Sequence, residues 1–207
     1  MFVTFEGIDL CGKSTQAKLL YDFLKSKKKK VILVREPGGT LISEKIRDIL
    51  LDKSNSNMKY ITEFLLFSAS RYQLTEEIIK PLLKKKYIVI CDRYYDSSTA
   101  YQGYGGQIDL KIIEQINKVA SGNLVPDLSF LIDINYQENV RRRKINKKGH
   151  DRIEQKEKTY YTKVINGYRK IAKNNKNRFI IINGKDKMDV IKKKIFSDIS
   201  NYKEKNK

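Results

Sequence analysis

Cysteine, proline and histidine are scarce in this sequence of 207 residues, which has two, three and one of them. Two cysteines cannot form the disulfide framework of a small secreted domain, so that class is excluded. Three prolines leave no proline-rich linker, and no stretch approaches the roughly 18 consecutive apolar residues of a membrane-spanning helix. The first residues show no basic segment followed by a long apolar run, so we expect no secretory signal and a cytoplasmic location.

Acidic residues are also few. The 24 Asp and Glu residues stand against 43 Lys and Arg, which gives a net charge of +19 and a pI near 9.7. Such an excess of positive charge is typical of proteins that bind nucleic acid. However, 33 of the basic residues are lysine, many in runs at residues 27–30, 84–86 and 192–194. We interpret these runs as solvated surface produced by compositional bias, with a polyanion-binding surface as the alternative. The ten arginines are better candidates for phosphate contacts, because the planar guanidinium can bind phosphate through two hydrogen bonds.

Short apolar runs alternate with helical patterns along the whole chain. The predicted strands cover residues 2–6, 31–34, 87–91, 128–134 and 179–182. The predicted helices cover residues 14–26, 41–51, 60–83, 109–120, 137–144, 152–172 and 188–199. This alternation is typical of a three-layer α/β fold, with a five-stranded parallel sheet flanked by helices. We therefore expect one domain over residues 1–207, with ligands bound at the carboxyl ends of the strands.

A phosphate-binding loop follows the first predicted strand and precedes the first predicted helix. Residues 7–14 match the pattern G-x-x-x-x-G-K-[ST]. In such a loop, backbone N–H groups turn towards phosphate oxygens, and the following helix points its positive end at them. Lys13 would neutralise phosphate oxygens and Ser14 would ligate Mg²⁺. The predicted contacts of the nucleotide phosphates are Gly7, Ile8, Asp9, Leu10, Cys11, Gly12, Lys13, Ser14 and Thr15.

A second carboxylate for the same site is predicted at the end of the third strand. The apolar run at residues 87–91 is followed by Asp92 and then by Arg93. A carboxylate that can hold Mg²⁺ beside an arginine that can bind phosphate is suited to phosphoryl transfer. The alternative is a surface ion pair at the strand end. Together with the phosphate loop, these residues predict an enzyme that uses ATP or GTP with Mg²⁺.

Four further segments make the chain resemble the thymidylate kinase family. They are REPGGT at residues 35–40, Phe67 followed four residues later by Arg71, DRYYDSSTAYQG at residues 92–103, and DRIE at residues 151–154. The resemblance runs from about residue 2 to residue 172. It implies a P-loop nucleoside-monophosphate-kinase fold and the phosphorylation of dTMP to dTDP by ATP with Mg²⁺. It also implies a homodimer, with neither a membrane nor a nucleic acid as partner.

The resemblance assigns the acceptor site residue by residue. Asp9 resembles the acidic residue that holds the 3′-hydroxyl of dTMP, Phe67 the ring that stacks on thymine, and Arg71 the residue that donates to a thymine carbonyl. Core packing is the alternative for Phe67, and a surface salt bridge to a glutamate of the same helix is the alternative for Arg71. Arg93 and Arg47 resemble the residues that hold the acceptor phosphate, and Tyr101 resembles the tyrosine beneath the sugar. The full predicted acceptor site consists of Asp9, Glu36, Pro37, Arg47, Phe67, Arg71, Arg93, Ser97, Ser98, Tyr101 and Gln102.

An extra catalytic cation is expected in a mobile lid at about residues 141–153. The family resembled here places this cation either in the phosphate loop or in the lid, and the variable loop positions, residues 8–11, contain no cation. Arg152 is the best candidate, with Arg143 or Lys148 in support, and the sole histidine, His150, is expected to face solvent. A solvated basic helix end is the alternative for residues 141–148. The predicted catalytic residues are Lys13, Asp9, Arg93 and Arg152, and the predicted magnesium ligands are Ser14 and Asp92.

Two other functions fit parts of the sequence. A deoxynucleoside kinase needs a carboxylate base near a 5′-hydroxyl, and Glu36 is the conspicuous candidate, whereas the phosphate of dTMP is already an anion and needs no base. A nucleic-acid-binding protein with an ATP switch would bind DNA with a steep salt dependence and without dTMP turnover. Cys11 and Cys91 have no supporting base and are expected to be ordinary thiols, with a lowered pKa of Cys11 at the helix end as the alternative.

Overall fold

A five-stranded parallel sheet lies at the centre of the computed structural model, which describes residues 1–145, 152–153 and 156–205, with side chains through Tyr202. The strands lie in the order β2-β3-β1-β4-β5. Their bounds are β1 (Phe2–Glu6), β2 (Val31–Arg35), β3 (Ile88–Asp92), β4 (Leu128–Asp133) and β5 (Phe179–Asn183). Because all five run in one direction, their carboxyl ends meet at one edge of the sheet. The predicted five-stranded parallel sheet is confirmed.

Helical segments follow every strand. The helices are α1 (Lys13–Ser26), α2 (Leu41–Leu51), α3 (Tyr60–Leu74), α4 (Lys80–Lys84), α5 (Tyr95–Ser98), α6 (Leu110–Ala120), α7 (Tyr136–Ile145), α8 (Lys158–Asn174) and α9 (Met188–Lys205). A 3₁₀ turn covers Lys53–Asn55, and two π-helical turns cover Thr75–Ile79 and Thr99–Gly105. Among the described residues, no helix has the length and apolar content that a membrane span requires.

Both faces of the sheet are covered, because successive residues of a strand point to opposite sides. Val3 and Phe5 of β1 belong to one buried cluster, which includes Leu20 of α1. Phe2 of the same strand belongs to a second buried cluster with Leu74 of α3. Burial on both faces explains why the strands read as nearly continuous apolar runs, and it produces the three predicted layers.

The helix predicted at residues 60–83 is interrupted by the π-helical turn at Thr75–Ile79. Pro81 lies just beyond this turn, and a proline ring clashes with the carbonyl four residues earlier in a regular α-helix. The wider turn moves that carbonyl away, and the N–H of Lys80 donates to the carbonyl of Thr75, five residues back. The helical run therefore continues to Lys84 in two α-helical pieces.

Two segments differ from the sequence-based expectation. The helix predicted at residues 152–172 begins only at Lys158, and Arg152 and Ile153 lie in a turn. Ile153 is buried against the core although it is not helical. Its apolar side chain therefore extended the apolar spacing of the following helix in the sequence, and the helix was predicted to start too early. The helical turns at residues 95–105 were not predicted, because their serine, threonine and glycine residues favour turns in isolation.

Candidate active site

A cleft of about 260 Å³ opens at the carboxyl edge of the sheet. The structure brings all eleven residues of the predicted acceptor site into its lining, together with Lys13, Ser14 and Asp92. The residues come from β2 and β3, from the segments that follow β1, β2 and β3, from α3, and from the turn at residues 152–153. Three lining residues were not predicted: Arg35, Leu51 and Ile153.

The loop between β1 and α1 has the backbone that a phosphate loop requires. Gly7 has φ +133°, and a Cβ there would lie 2.6 Å from the carbonyl oxygen of Ile132, so only glycine fits. Gly12 has φ +104° and caps α1, which begins at Lys13. Ile8 and Cys11 are buried beneath the loop and anchor it to the core. The N-terminus of a 14-residue helix and the Lys13 ammonium group therefore face the same space.

Arg93 and Asp9 form the charged centre of the cleft. Arg93 follows β3 in a left-handed conformation (φ 71°), and its N–H donates to the carbonyl of Phe5. Its Nη2 pairs with Asp9 and donates to the Tyr101 hydroxyl at 3.3 Å. Tyr101 in turn donates to the other Asp9 oxygen at 2.9 Å. The alternative of a surface pair between the sequence neighbours Asp92 and Arg93 is not observed, since Arg93 pairs with Asp9.

Asp9 is held in its ionised form. Burial by itself favours the neutral acid, but the positive charges of Arg93 and Lys13 outweigh it, so the pKa of Asp9 lies well below its ordinary value. The Lys13 ammonium group is 3.8 Å from the Asp9 carboxylate. An ionised carboxylate in this position can accept a hydrogen bond from a ligand hydroxyl at neutral pH.

Arg71 lies on α3 and is only 1% exposed. Its Nε donates to Glu36 at 2.8 Å, its Nη2 to Ser98 at 2.9 Å and its Nη1 to Asn117 at 3.2 Å. The alternative partners on its own helical run, Glu63, Glu76 and Glu77, are not the ones it uses. Three of its five N–H groups are engaged in these bonds. Asn117, on α6, was missed because it reads as one more polar residue of an amphipathic helix.

Glu36 has an unusual environment for a carboxyl group. Burial raises its pKa to about 7, and the opposing effect of Arg71 is smaller. Its Oε2 accepts from Arg71, whereas its buried Oε1 has no hydrogen-bond partner among the described residues. Glu36 also precedes the cis peptide bond to Pro37, whose carbonyl accepts from Arg47 at 2.9 Å.

Phe67 and Gln102 both line the cleft. Phe67 is half-buried and packs on the core cluster with one side while it lines the cleft with the other. Gln102 donates from its Nε2 to Glu63 at 2.8 Å. Phe67 therefore packs on the core, as its alternative interpretation has it, and also lines the cleft, while stacking on thymine stays a prediction.

A magnesium ion would find oxygen ligands on one side of the cleft. Asp92 ends β3, and its buried Oδ1 has no hydrogen-bond partner among the described residues. Ser14, in the first turn of α1, lines the same cleft and is exposed. A free carboxylate oxygen and a hydroxyl in one cleft fit the hard oxygen ligands that Mg²⁺ prefers. Within the described residues no group of three His, Cys, Asp or Glu forms an all-protein metal cage.

The predicted lid cation Arg152 does not line the cleft in this structure. Its side chain is buried, its Nε donates to the carbonyl of Leu50 at 3.0 Å, and its Nη2 lies 2.7 Å from Glu63. The Arg143 guanidinium lies 4.5 Å from the centre of the Tyr161 ring. Residues 146–151, which include Lys148 and His150, lie outside the described residues, so their predicted positions stay predictions.

Arg142 contacts the phosphate loop, although it was not singled out. It donates from Nη1 to the carbonyls of Leu10 and Cys11, at 3.0 and 2.9 Å, and from Nη2 to the carbonyl of Gly184. It lies within the basic run 141–144, so the sequence marked the segment but not the member that reaches the loop. Arg142 joins the phosphate loop to the segment after β5.

The two cysteines are buried thiols. Burial raises the pKa of Cys11, and the lowering effects of Lys13 and the backbone are smaller, so the alternative of a thiol activated by the helix end is wrong in direction. Burial also raises the pKa of Cys91, where neighbouring carboxylates add to the effect.

Comparisons with known proteins agree with this geometry. A family model described as thymidylate kinase matches residues 5–195. A thymidylate kinase of Sulfurihydrogenibium sp. (strain YO3AOP1) is 48% identical over 183 residues, which cover 88% of each chain. A thymidylate kinase of Thermosipho africanus (strain TCF52B) is 45% identical over 205 residues, which cover 99% of this chain and 98% of the relative.

A solved structure shares the fold. The crystal structure of thymidylate kinase from Ehrlichia chaffeensis superposes with a TM-score of 0.78 at 36% identity, covering 96% of this chain and 98% of that chain. The family match, the sequence identities and the superposition therefore agree with what the phosphate loop and the arginine-lined cleft indicate. The chain belongs to the thymidylate kinase family, the nucleoside-monophosphate kinases that phosphorylate dTMP to dTDP with ATP.

Proposed function

We propose that this cleft transfers the γ-phosphoryl group of ATP, bound with Mg²⁺, to the phosphate of dTMP. The observation that carries the proposal is that the phosphate-loop residues Lys13 and Ser14 line the same cleft as Phe67, Arg71 and Arg93. A nucleotide on the loop and a monophosphate beside Arg93 would therefore face each other. Their reaction needs positioning and neutralisation of charge, and the cleft offers both.

On the donor side, we propose that Lys13 and the loop N–H groups hold the phosphates of ATP. Ser14 and Asp92 would hold the magnesium ion, a role that the free Oδ1 of Asp92 supports. When bound, Mg²⁺ supplies positive charge to the phosphate oxygens. Arg142 keeps the loop in shape through its bonds to two loop carbonyls.

On the acceptor side, Phe67 would stack on thymine and Arg71 would donate to a thymine carbonyl. Arg93 would bind the acceptor phosphate, and Asp9 would accept from the 3′-hydroxyl. The lowered pKa of Asp9 supports this role, because the carboxylate is an acceptor throughout the neutral pH range. The phosphate of dTMP is largely a dianion at neutral pH and attacks without a general base, so the scarcity of histidine is no obstacle.

The role of the phosphate loop is tested by two lysines of α1. Lys13 is buried at the cleft, whereas Lys18 is exposed and pairs with Asp22. We expect Lys13→Met to lower kcat with dTMP by roughly 10²–10³-fold, as for the loss of one preorganised donor. Lys18→Met should stay near the wild-type value. Steady-state ADP release measures both, and a Lys13→Met enzyme with wild-type kcat would contradict the proposal.

We propose that Arg152 supplies the additional cation when its segment moves from the position described here. Arg152 would first have to leave Glu63 and the carbonyl of Leu50. We expect Arg152→Ala to lower kcat by about 10²-fold or more. Arg169→Ala, which removes an exposed pair with Asp133, is the matched control. Near-normal turnover of folded Arg152→Ala would show that this residue is not the catalytic cation.

We also propose that the chain forms a homodimer through α2, α3 and α6. Each of these helices exposes large apolar side chains, among them Leu41 (77%), Leu65 (49%) and Val119 (70%), and α3 packs against both other helices. Light scattering should give twice the chain mass, and Leu65→Glu should lower the measured mass towards that of one chain.

The cytoplasmic location stays a prediction.

A further inference from the structure

Arg93 donates a hydrogen bond to Tyr168, a buried residue that the sequence analysis did not predict as part of the site. Its Nη1 donates to the Tyr168 hydroxyl at 3.1 Å, to Ser97 Oγ at 3.3 Å and to the carbonyl of Gly7 at 2.9 Å. Tyr168 lies on α8, is 1% exposed and belongs to the core cluster. It is not among the described residues that line the cleft, so it meets the site only through Arg93 and its neighbours.

The hydroxyl of Tyr168 has a defined place in a buried chain of hydrogen bonds. Burial raises its pKa well above the ordinary tyrosine value, so it stays protonated. A guanidinium only donates, hence the Tyr168 oxygen accepts from Arg93. The Tyr168 proton has two acceptors, Ser97 Oγ at 2.7 Å and Glu6 Oε2 at 3.4 Å. Ser97 itself donates to Glu6 Oε2 at 2.6 Å.

Glu6 fixes the far end of this chain. It ends β1 and is fully buried, and its Oε1 accepts from the N–H of Tyr94 at 2.8 Å. The chain therefore runs from the sheet through Ser97 and Tyr168 to one end of the guanidinium of Arg93. The other end of that guanidinium meets Asp9 and Tyr101.

We propose that Tyr168 is a positioning residue, whose hydroxyl orients Arg93 towards the phosphate of the acceptor nucleotide. The inference rests on the proposed function, because it takes Arg93 as the ligand of that phosphate. Without the hydroxyl, Nη1 loses a buried acceptor and the guanidinium gains freedom to turn. A small misplacement of a charged group at a reacting phosphate is enough to lower the rate many-fold.

The substitution Tyr168→Phe removes only the hydroxyl and keeps the ring in the core. We expect it to lower kcat/KM for dTMP by about tenfold, with a fall in kcat, and to leave KM for ATP within about twofold. Tyr94→Phe is the matched control, because it also removes a buried hydroxyl, bonded to Thr75 at 3.0 Å and not to Arg93. It should change Tm to a similar extent and leave kcat/KM for dTMP unchanged.

A double-mutant cycle with Arg93→Ala separates positioning from a general loss of structure. If Tyr168 acts through Arg93, adding Tyr168→Phe to Arg93→Ala changes kcat/KM for dTMP by less than about twofold. Wild-type kinetics in Tyr168→Phe, or an equal loss in both backgrounds, would overturn the inference while the proposed function stands. No dTMP turnover in the wild type would overturn the proposed function and this inference with it, whereas full activity in Arg93→Ala would overturn the inference and the role of Arg93 alone.

Discussion

At the scale of single residues, burial changes the charge states of two glutamates below and beside the cleft. It raises the pKa of Glu36 to about 7, with Arg71 in opposition, and it raises the pKa of Glu6 to about 8, with Asp96 adding to the effect. Both values lie above the ordinary glutamate value of 4.5. Between 4.5 and these values, the folded chain binds more protons than the unfolded chain, so stability falls as pH rises.

The pH dependence of stability tests this. We expect the free energy of unfolding in urea to decrease between about pH 5 and pH 7, and Glu36→Gln to flatten the decrease by up to about 1.4 kcal/mol per pH unit. Glu114→Gln, which changes an exposed glutamate paired with Lys118, should keep the wild-type slope. Identical slopes in Glu36→Gln and wild type would contradict the raised pKa.

Some residues of the candidate site could be predicted from the sequence and others could not, for a physical reason. Lys13 lies in the phosphate-loop pattern, whose chemistry requires a lysine there, and Asp9, Arg71 and Arg93 lie in segments that resemble the family, so all four could be predicted. Tyr168 could not be predicted in the same way. It sits in an ordinary apolar stripe of α8, and only the packing of α8 against the sheet brings it to Arg93.

At the scale of elements, the apolar periods predicted every strand and most helices, but the ends depend on local chemistry. α6 begins at Leu110, one residue after the predicted start, because Asp109 caps it, its side chain accepting from the N–H of Lys111 at 2.7 Å. α8 begins six residues later than the predicted residue 152. The prediction was early because Ile153, an apolar residue in the preceding turn, is also packed against the core. Apolar periodicity reports burial and does not by itself distinguish a helix from a buried turn.

The cap of α6 makes a prediction at this scale. We expect Asp109→Ala to lower the free energy of unfolding by about 1 kcal/mol, because it leaves a backbone N–H of the first turn without its partner. Lys59→Ala at the start of α3 is the control, since Lys59 makes no side-chain capping bond. Chemical denaturation measures both, and an equal effect of the two substitutions would contradict the capping role.

At the scale of the whole molecule, the net charge of +19 divides into two parts. The runs at residues 27–30 and 84–86 are exposed, and they meet at the amino edge of the sheet, where Ile88 donates to the carbonyl of Lys30. Lys13, Arg71 and Arg93 lie in the cleft at the opposite edge. The cations that a phosphate would meet are therefore few and largely buried. The strand order that places them together could not be predicted from the sequence.

The most direct test of the central claim is the rate of ADP release by the wild-type chain with ATP and Mg²⁺, when dTMP and thymidine are supplied in separate reactions. In the proposed site Arg93 binds the acceptor phosphate, and that phosphate itself is the nucleophile. We therefore expect rapid ADP release with dTMP, dTDP as the product, and no release above background with thymidine. Equal rates with both acceptors, or release with thymidine alone, would contradict the account and favour the alternative of a deoxynucleoside kinase.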